Sequence, residues 1–130
     1  MAANLDTLKQ GYDDFSRGDI EGATRVWADD FVWQGPNSTE LPGGGEHTGK
    51  GAALQVLQQA VGAWDEFSLT ADEFYEGDDT VVVLGHTDVS KDGESAQLPV
   101  VHVWRFEGGQ AKRLQILTDT HQSAKLLGVG

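Results

Sequence analysis

The second half of the chain alternates apolar and polar residues between regularly spaced turn signals. The turn signals are Gly77-Asp78-Asp79, Lys91-Asp92-Gly93 and Glu107-Gly108-Gly109. Because successive side chains of a strand point to opposite faces, this pattern predicts strands joined by tight turns. The predicted strands span residues 80–90, 96–107 and 111–120, after an earlier strand that begins near Phe67. The pattern predicts a four-stranded antiparallel meander.

Helical periodicity dominates the first half of the chain. Apolar residues recur at helical spacing over residues 4–17 and 49–64. Asp19 is a candidate N-cap for a short helix between them, with Val26 and Trp27 on its apolar side. The remaining predicted elements are a short strand at residues 31–33, a glycine-rich loop over 37–48 and a final helical turn over 121–127. Helices followed by a meander are typical of the α+β class, here in a single domain over residues 1–130.

The charge and composition of the chain exclude several classes of partner. The net charge is −12, and such a surface repels both the phosphate backbone of nucleic acid and anionic membrane. No apolar run approaches the roughly 20 residues of a membrane-spanning helix. The N-terminus lacks the basic start and apolar core of a signal peptide, so a cytoplasmic protein is expected. With no cysteine, the chain has neither disulfides nor thiol chemistry.

One titratable side chain stands among large apolar residues in the strand predicted at 96–107. By alternation, His102 shares a face with Trp104 and Phe106. An imidazole there can donate a hydrogen bond or act as a general acid or base. The alternative interpretation is a core histidine whose ring is satisfied by a neighbour. In the next predicted strand, one face carries Gln115, Leu117 and Asp119.

Large aromatic and apolar side chains are candidate walls of a cavity for a flat hydrophobic ligand. These candidates are Tyr12, Phe15, Trp33, Trp64, Trp104 and Leu117, with Gln115 as a polar addition. Plain core packing is the alternative for each of them.

Two familiar kinds of site are excluded by spacing. Residues 44–50 fit G-x-x-x-x-G-K, but Gly51 replaces the hydroxyl residue that would hold magnesium, and no strand leads directly into the loop. We therefore expect no nucleotide site. The four histidines show no close metal-ligand spacing, so we expect no metal site either.

Four segments occur in a characteristic order along the chain. They are Arg17-Gly18-Asp19, Trp27-Ala28-Asp29-Asp30-Phe31-Val32-Trp33, His102-Val103-Trp104-Arg105-Phe106-Glu107-Gly108-Gly109 and Leu117-Thr118-Asp119-Thr120. Together they resemble the SnoaL-like, ketosteroid-isomerase-like branch of the NTF2-like superfamily, over nearly the whole chain. The resemblance implies an NTF2-like α+β cone, in which a curved, mostly antiparallel sheet wraps around a long helix and leaves an apolar pocket. It also implies a homodimer packed through the outer sheet face.

The resemblance also suggests roles for individual residues. His102 matches the position where ketosteroid isomerases place an acidic hydrogen-bond donor. Asp119 matches the late-strand aspartate that acts as acid or base in SnoaL-like polyketide cyclases, although it also suits the N-cap of the last helical turn. His47 lies in the loop over the expected pocket mouth and is either a lid residue or simply exposed. The catalytic aspartate of the isomerases has no counterpart, because Gly35 precedes Pro36.

Three hypotheses for function follow. The leading one is an isomerase or cyclase acting on a hydrophobic carbonyl substrate without cofactor or metal, in which Asp119 moves a proton and His102 stabilises or protonates the oxyanion. The second is a non-catalytic module that binds a hydrophobic small molecule, which the missing aspartate favours. The third is a dimeric interaction domain whose pocket is filled by its own side chains. The fold by itself does not decide among them.

Overall fold

The computed structural model describes residues 2–37 and 40–129. Within those residues it has four helices and one curved six-stranded sheet, so the predicted α+β class is confirmed. The helices are α1 (Ala2–Ser16), α2 (Ile20–Thr24), α3 (Lys50–Gly62) and α4 (Thr120–Leu127). The strands are β1 (Trp27–Gln34), β2 (Glu46–Thr48), β3 (Glu66–Gly77), β4 (Thr80–Lys91), β5 (Glu94–Glu107) and β6 (Gln110–Thr118). No helix in this part of the chain is long and apolar enough to cross a membrane.

The strands lie in the order β2-β1-β6-β5-β4-β3, and all neighbours are antiparallel except the parallel pair β1 and β6. The last four strands form the predicted meander. Each of its hairpins closes through two residues, and positive φ angles occur at Asp78, Asp92, Gly93, Gly108 and Gly109. Such turns match the twist of the strands they join, which explains why the turn signals predicted this part correctly.

The beginning of β1 differs from the prediction. Asp19 does cap α2 through its side chain, which accepts from the Gly22 amide, but the helix ends at Thr24. Trp27 is therefore the first residue of β1 and stacks on Phe31, with 4.2 Å between ring centroids. Burial of these aromatic rings in the sheet outweighs the weak helical preference of such a short segment.

A β-bulge between Ala71 and Glu73 bends the sheet where β3 meets β4. The opposing residue is Gly85, at which an added Cβ atom would lie only 2.1 Å from the Thr70 carbonyl oxygen. Glycine thus allows a backbone approach that no other residue permits, and the bulge adds local bending and twist.

Helices α1 and α3 cover the concave side of the curved sheet. Leu8 of α1 and Ala53 and Val56 of α3 join the buried core of the sheet. The largest core residues of the sheet are Trp27, Phe31, Trp33, Trp104 and Phe106. The concave side therefore carries the core, and α1 supplies the side chains that meet it at its centre.

Candidate ligand-binding cavity

A cavity of about 180 Å³ lies between the concave side of the sheet and helices α1 and α3. Its large apolar wall residues are Leu8, Phe15, Trp27, Trp33, Leu57, Val61, Phe67, Leu69, Leu98, Val100, Trp104, Leu114 and Ile116. The polar wall residues are Thr7, Tyr12, Thr24, Thr87, His102, Thr118 and Ser123. No lysine, arginine, aspartate or glutamate in the described part of the chain lines it.

A short hydrogen-bond relay crosses the cavity wall. Trp104 donates through Nε1 to the Tyr12 hydroxyl oxygen at 2.9 Å, and that oxygen lies 2.5 Å from His102 Nδ1. An indole nitrogen only donates, so Tyr12 must use its own proton elsewhere. Since the described residues offer the phenolic proton no other acceptor, Tyr12 donates to His102 Nδ1. We infer from this network that His102 carries its proton on Nε2.

Two elements position the relay. Helical spacing puts Leu8, Tyr12 and Phe15 on one face of α1, directed at the sheet. Alternation along β5 puts His102 and Trp104 on its concave side, and the Trp104 ring stands nearly perpendicular to that of Tyr12, at 86°. The contact between Tyr12 and His102 thus joins the first helix to the fifth strand.

Burial keeps both titratable groups of the relay uncharged at neutral pH. His102 is only 8% exposed, and burial lowers its pKa to about 4. Burial also raises the pKa of Tyr12 well above its ordinary value, against a smaller opposing effect of the hydrogen bond from Trp104.

His102 Nε2 has no hydrogen-bond partner within the described residues and keeps access to the cavity. The site therefore presents one uncharged N–H donor in a mostly apolar wall, which also carries the hydroxyls of Thr7 and Thr87.

The structure brings together five of the residues singled out in the sequence. Tyr12, Phe15, Trp33, His102 and Trp104 all line the cavity. Phe15 packs edge-on against Phe67, with 6.2 Å between ring centroids. Trp33 donates through Nε1 to the Gly43 carbonyl at 2.8 Å and so fixes the loop that closes one side of the cavity.

Gln115 and Leu117 lie on the opposite side of the sheet, which corrects their expected place in the cavity wall. The register pairs His102 with Ile116, so Ile116 shares the concave side and its two neighbours point outward. Leu117 is 51% exposed on that outer face. Alternation predicted which residues share a face but did not say which face is concave.

Asp119 follows β6 as the N-cap of α4 and is also outside the cavity wall. Its carboxylate accepts from the Gln122 amide at 3.0 Å. No hydrogen bond joins it to His102 within the described residues. The sequence allowed Asp119 to be either an acid–base residue or a helix cap, and its hydrogen bond is that of a helix cap.

His47 and Trp64 lie away from the cavity as well. His47 donates through Nε2 to the Gly44 carbonyl at 2.9 Å and borders a separate surface groove beside Val56 of α3. Trp64 lies beyond the end of α3, whose cavity-lining stripe stops at Val61.

Several wall residues were not singled out from the sequence. Leu98 and Val100 have the same parity on β5 as His102, so alternation contained the signal that places them there. Trp27 was missed because it was assigned to a helix. Thr118 pairs with Val100 and has the parity of Ile116 on β6, so alternation places it in the wall as well. Ser123 reaches the wall only because α4 folds back after β6, and no sequence pattern indicates that contact.

Metal-ligating residues do not converge here. Throughout residues 2–37 and 40–129, no three histidine, aspartate or glutamate side chains are grouped in a way that would hold a metal ion. The cavity chemistry available from side chains is therefore hydrogen bonding, from His102 and the hydroxyls of Thr7 and Thr87, together with apolar contact.

Comparisons with known proteins agree with this architecture. The SnoaL-like domain family matches residues 8–114, so the chain belongs to that family, within the NTF2-like superfamily. An NTF2-like protein of unknown function from Burkholderia pseudomallei K96243 is similar at 34% identity, with 98% of each chain covered and a TM-score of 0.89. A comparison with curated proteins found no match.

Two further solved structures share the fold. TerC, co-crystallised with polyporic acid, is similar at 29% identity over 97% of this chain and 98% of its own, with a TM-score of 0.87. AclR, a putative hydroxylase from Streptomyces galilaeus, is similar at 15% identity over 98% and 97% of the two chains, with a TM-score of 0.76. At that lower identity the likeness concerns the fold alone.

Proposed function

We propose that the protein binds a small hydrophobic carbonyl compound in the cavity, with the carbonyl oxygen accepting a hydrogen bond from His102 Nε2–H. The observation that carries this proposal is the single N–H donor, oriented by Tyr12 and Trp104, in an apolar wall. A carbonyl oxygen satisfies that donor, and the rest of the ligand gains from leaving water.

The dimensions of the cavity favour a compact ligand. An apolar cavity of about 150 Å³ is known to hold benzene, so one of about 180 Å³ suits a ligand with one or two rings. Larger molecules require movement of the wall. The loop around Gly43 lies outside the helices and the sheet, so we expect it to be displaced first, with loss of the hydrogen bond from Trp33 Nε1.

The likeness to TerC supports small-molecule binding by this fold. TerC was co-crystallised with polyporic acid and aligns with nearly all of this chain. Small aromatic ketones are the first probes, because they are neutral and match the dimensions of the cavity.

A second candidate function is isomerase- or cyclase-type catalysis on the same carbonyl compound. A donor on a carbonyl oxygen also stabilises the enolate that forms when a neighbouring proton is removed, which is the observation that favours it. This candidate lacks an evident base for removing the proton, because no carboxylate in the described residues lines the cavity and Asp119 caps a helix. NMR detection of proton exchange between 1-indanone and D2O tests this candidate. Exchange accelerated by the protein and lost in Asp119→Asn supports it, whereas exchange at the uncatalysed rate removes it.

The binding proposal is tested by a cycle that changes both ligand and protein. The ligands are 1-indanone and indane, which differ in the carbonyl oxygen, and the proteins are the unaltered chain and His102→Leu. Because one hydrogen bond contributes about 1 kcal/mol, we expect the unaltered protein to prefer the ketone by about fivefold in titration calorimetry. The preference should disappear in His102→Leu.

Thermal unfolding of both proteins controls for loss of folding in the variant. Equal affinity for the two ligands, or a preference for the ketone that survives in His102→Leu, would contradict the role of His102. Failure of both ligands to bind would remove the proposed function.

We also propose that the protein forms a homodimer through the outer face of the sheet. Tyr75 and Leu117 expose 55% and 51% of their surface there, on the side away from the cavity. The half-buried Leu84 and Val101 lie on the two strands between them, so this face carries a contiguous apolar area of the kind that marks protein–protein contacts.

A further inference from the structure

We propose that the cavity selects the neutral form of an ionisable ligand, so that phenols and enols bind in their protonated state and dissociate as the pH rises through their own pKa. This inference rests on the proposed function, because it concerns the charge of the molecule bound beside His102. It adds a chemical class of ligand and a direction of pH dependence.

The cavity wall offers no positive charge to a bound anion. Within the described residues, the wall contains no lysine or arginine, and His102 and Tyr12 are its only titratable side chains. Both are uncharged at neutral pH because both are buried. A bound anion would therefore meet no counter-charge.

The number of hydrogen-bond donors in the wall also disfavours an anion. An anionic oxygen in a water-excluded site is usually held by two or more N–H or O–H groups aimed at it, or by a cation. Here the Tyr12 hydroxyl is turned onto His102 Nδ1, and the Trp104 N–H is turned onto Tyr12. The hydroxyls of Thr24, Thr118 and Ser123 donate to backbone carbonyls, which leaves His102 Nε2–H and the hydroxyls of Thr7 and Thr87 as uncharged donors. Thr87 pairs with Leu98, four residues along β5 from His102, so it does not join His102 at one ligand oxygen. His102 Nε2–H suffices for a carbonyl or phenol oxygen, but it does not replace the hydration of an anion.

The charged residues around the cavity do not supply a cation to the ligand either. Lys9 of α1 is separated from Tyr12 by Phe74, with its Nζ 5.3 Å from the centre of that ring. On the sheet side, Glu76 lies on the concave side of β3 but outside the wall. Asp119 stands next to the wall residue Thr118, and its carboxylate adds negative potential there.

The net charge of −12 acts in the same direction as Asp119. The local and the overall field therefore both oppose an anionic ligand.

The pH range of a test follows from the same groups. Burial lowers the pKa of His102 to about 4 and raises that of Tyr12 above its ordinary value. Neither group in the wall changes its charge between pH 6 and pH 9. A change in affinity across that range consequently reports the protonation of the ligand.

The experiment compares 4-nitrophenol with 4-nitroanisole, which has the same ring but no ionisable proton. Affinities are measured by calorimetry from pH 6 to pH 9, and the absorbance of bound 4-nitrophenol distinguishes phenol from phenolate. We expect 4-nitroanisole to bind equally at every pH. The affinity for 4-nitrophenol should fall by about tenfold per pH unit above its own pKa, since only one form binds. The bound spectrum should be that of the neutral phenol.

A matched pair of variants adds a second readout. Thr87→Lys introduces a cation at the cavity wall, whereas Ser68→Lys introduces the same charge on the outer face of the neighbouring strand. We expect phenolate binding to appear in Thr87→Lys only.

The outcomes separate this inference from the function on which it rests. A phenolate spectrum for the bound ligand, or an affinity that stays constant or rises with pH, overturns the selectivity and leaves ligand binding beside His102 in place. Failure of 4-nitroanisole, 1-indanone and indane to bind overturns both proposals together.

Discussion

Burial keeps His102 uncharged, and this has a consequence for stability as well as for ligand binding. The pKa of the ring falls from its ordinary value of 6.5 to about 4 on folding, because desolvation penalises the charged form. Between those two values the unfolded chain binds a proton that the folded chain does not. The contribution of His102 to stability is therefore fully present above pH 6.5 and is lost as the pH falls toward 4.

We predict that His102→Gln removes this pH-dependent part of the stability. A pKa change of this size corresponds to about 3 kcal/mol, and glutamine retains an acceptor for Tyr12 but does not titrate. Urea unfolding at pH 7 and pH 4.5 gives the difference in unfolding free energy between the unaltered protein and the variant. We expect that difference to shrink at pH 4.5 by about 2 kcal/mol. A difference that does not change with pH would mean that the ring is charged or exposed in the folded state.

Sequence periodicity explains how much of the site was predictable at this scale. Alternation placed His102 and Trp104 on one face of a strand, and helical spacing placed Tyr12 and Phe15 on one face of a helix. The bond between Tyr12 and His102 joins positions 90 residues apart, and no local pattern contains it. The tautomer of His102 depends on that bond, so the donor facing the cavity was beyond sequence reasoning.

At the scale of elements, α4 links the end of the sheet to the cavity. Asp119 caps the helix, and the helix ends at Gly128 in the left-handed conformation, with φ of 71°. The buried Ser123 donates its hydroxyl to the Asp119 carbonyl at 2.8 Å and lines the cavity. The N-cap of α4 therefore holds Ser123 in its place in the cavity wall.

We predict that Asp119→Ala lowers the free energy of unfolding by about 1 kcal/mol, because the amide of Gln122 loses its capping acceptor. Asp119→Asn retains a side-chain oxygen at the cap and should change stability by only a few tenths of a kcal/mol. Urea unfolding of both variants at pH 7 checks the pair. If the asparagine variant is destabilised as much as the alanine variant, the role of Asp119 depends on its charge and not on capping.

The elements themselves were predictable wherever local chemistry determined them. The two-residue hairpins and the cap at Asp19 follow from residues adjacent in sequence. The early start of β1 at Trp27 and the bulge opposite Gly85 depend on pairing with distant strands. The sequence signal for the start of β1 was an aromatic run, and that for the bulge was an isolated glycine. Neither can be interpreted until the partner strand is known.

At the scale of the whole molecule, the sheet has two unlike faces. The concave side carries the core and the cavity, whereas the outer side exposes Tyr75 and Leu117 beside the half-buried Leu84 and Val101. Tyr75 and Leu117 are more than half exposed there. A second copy, related by two-fold symmetry, would bury them and leave the cavity free.

We predict that Leu117→Lys prevents dimer formation, because it places a charge on this apolar surface beside Val101. Val129→Lys is the matched control, since Val129 is also an exposed apolar residue but lies beyond α4. Light scattering after size-exclusion chromatography should give a dimer for the unaltered protein and the control, and a monomer for Leu117→Lys. Each copy carries a net charge of −12, so the dimer should also weaken at low ionic strength.

Ligand binding provides the internal check on this prediction. Leu117 points away from the cavity, so Leu117→Lys should bind 1-indanone as the unaltered protein does, even as a monomer. A Leu117→Lys variant that remains dimeric would show that the copies meet through another surface. A monomeric variant that loses the ligand would show that the outer face and the cavity are coupled, and that the cone needs its partner to keep its shape.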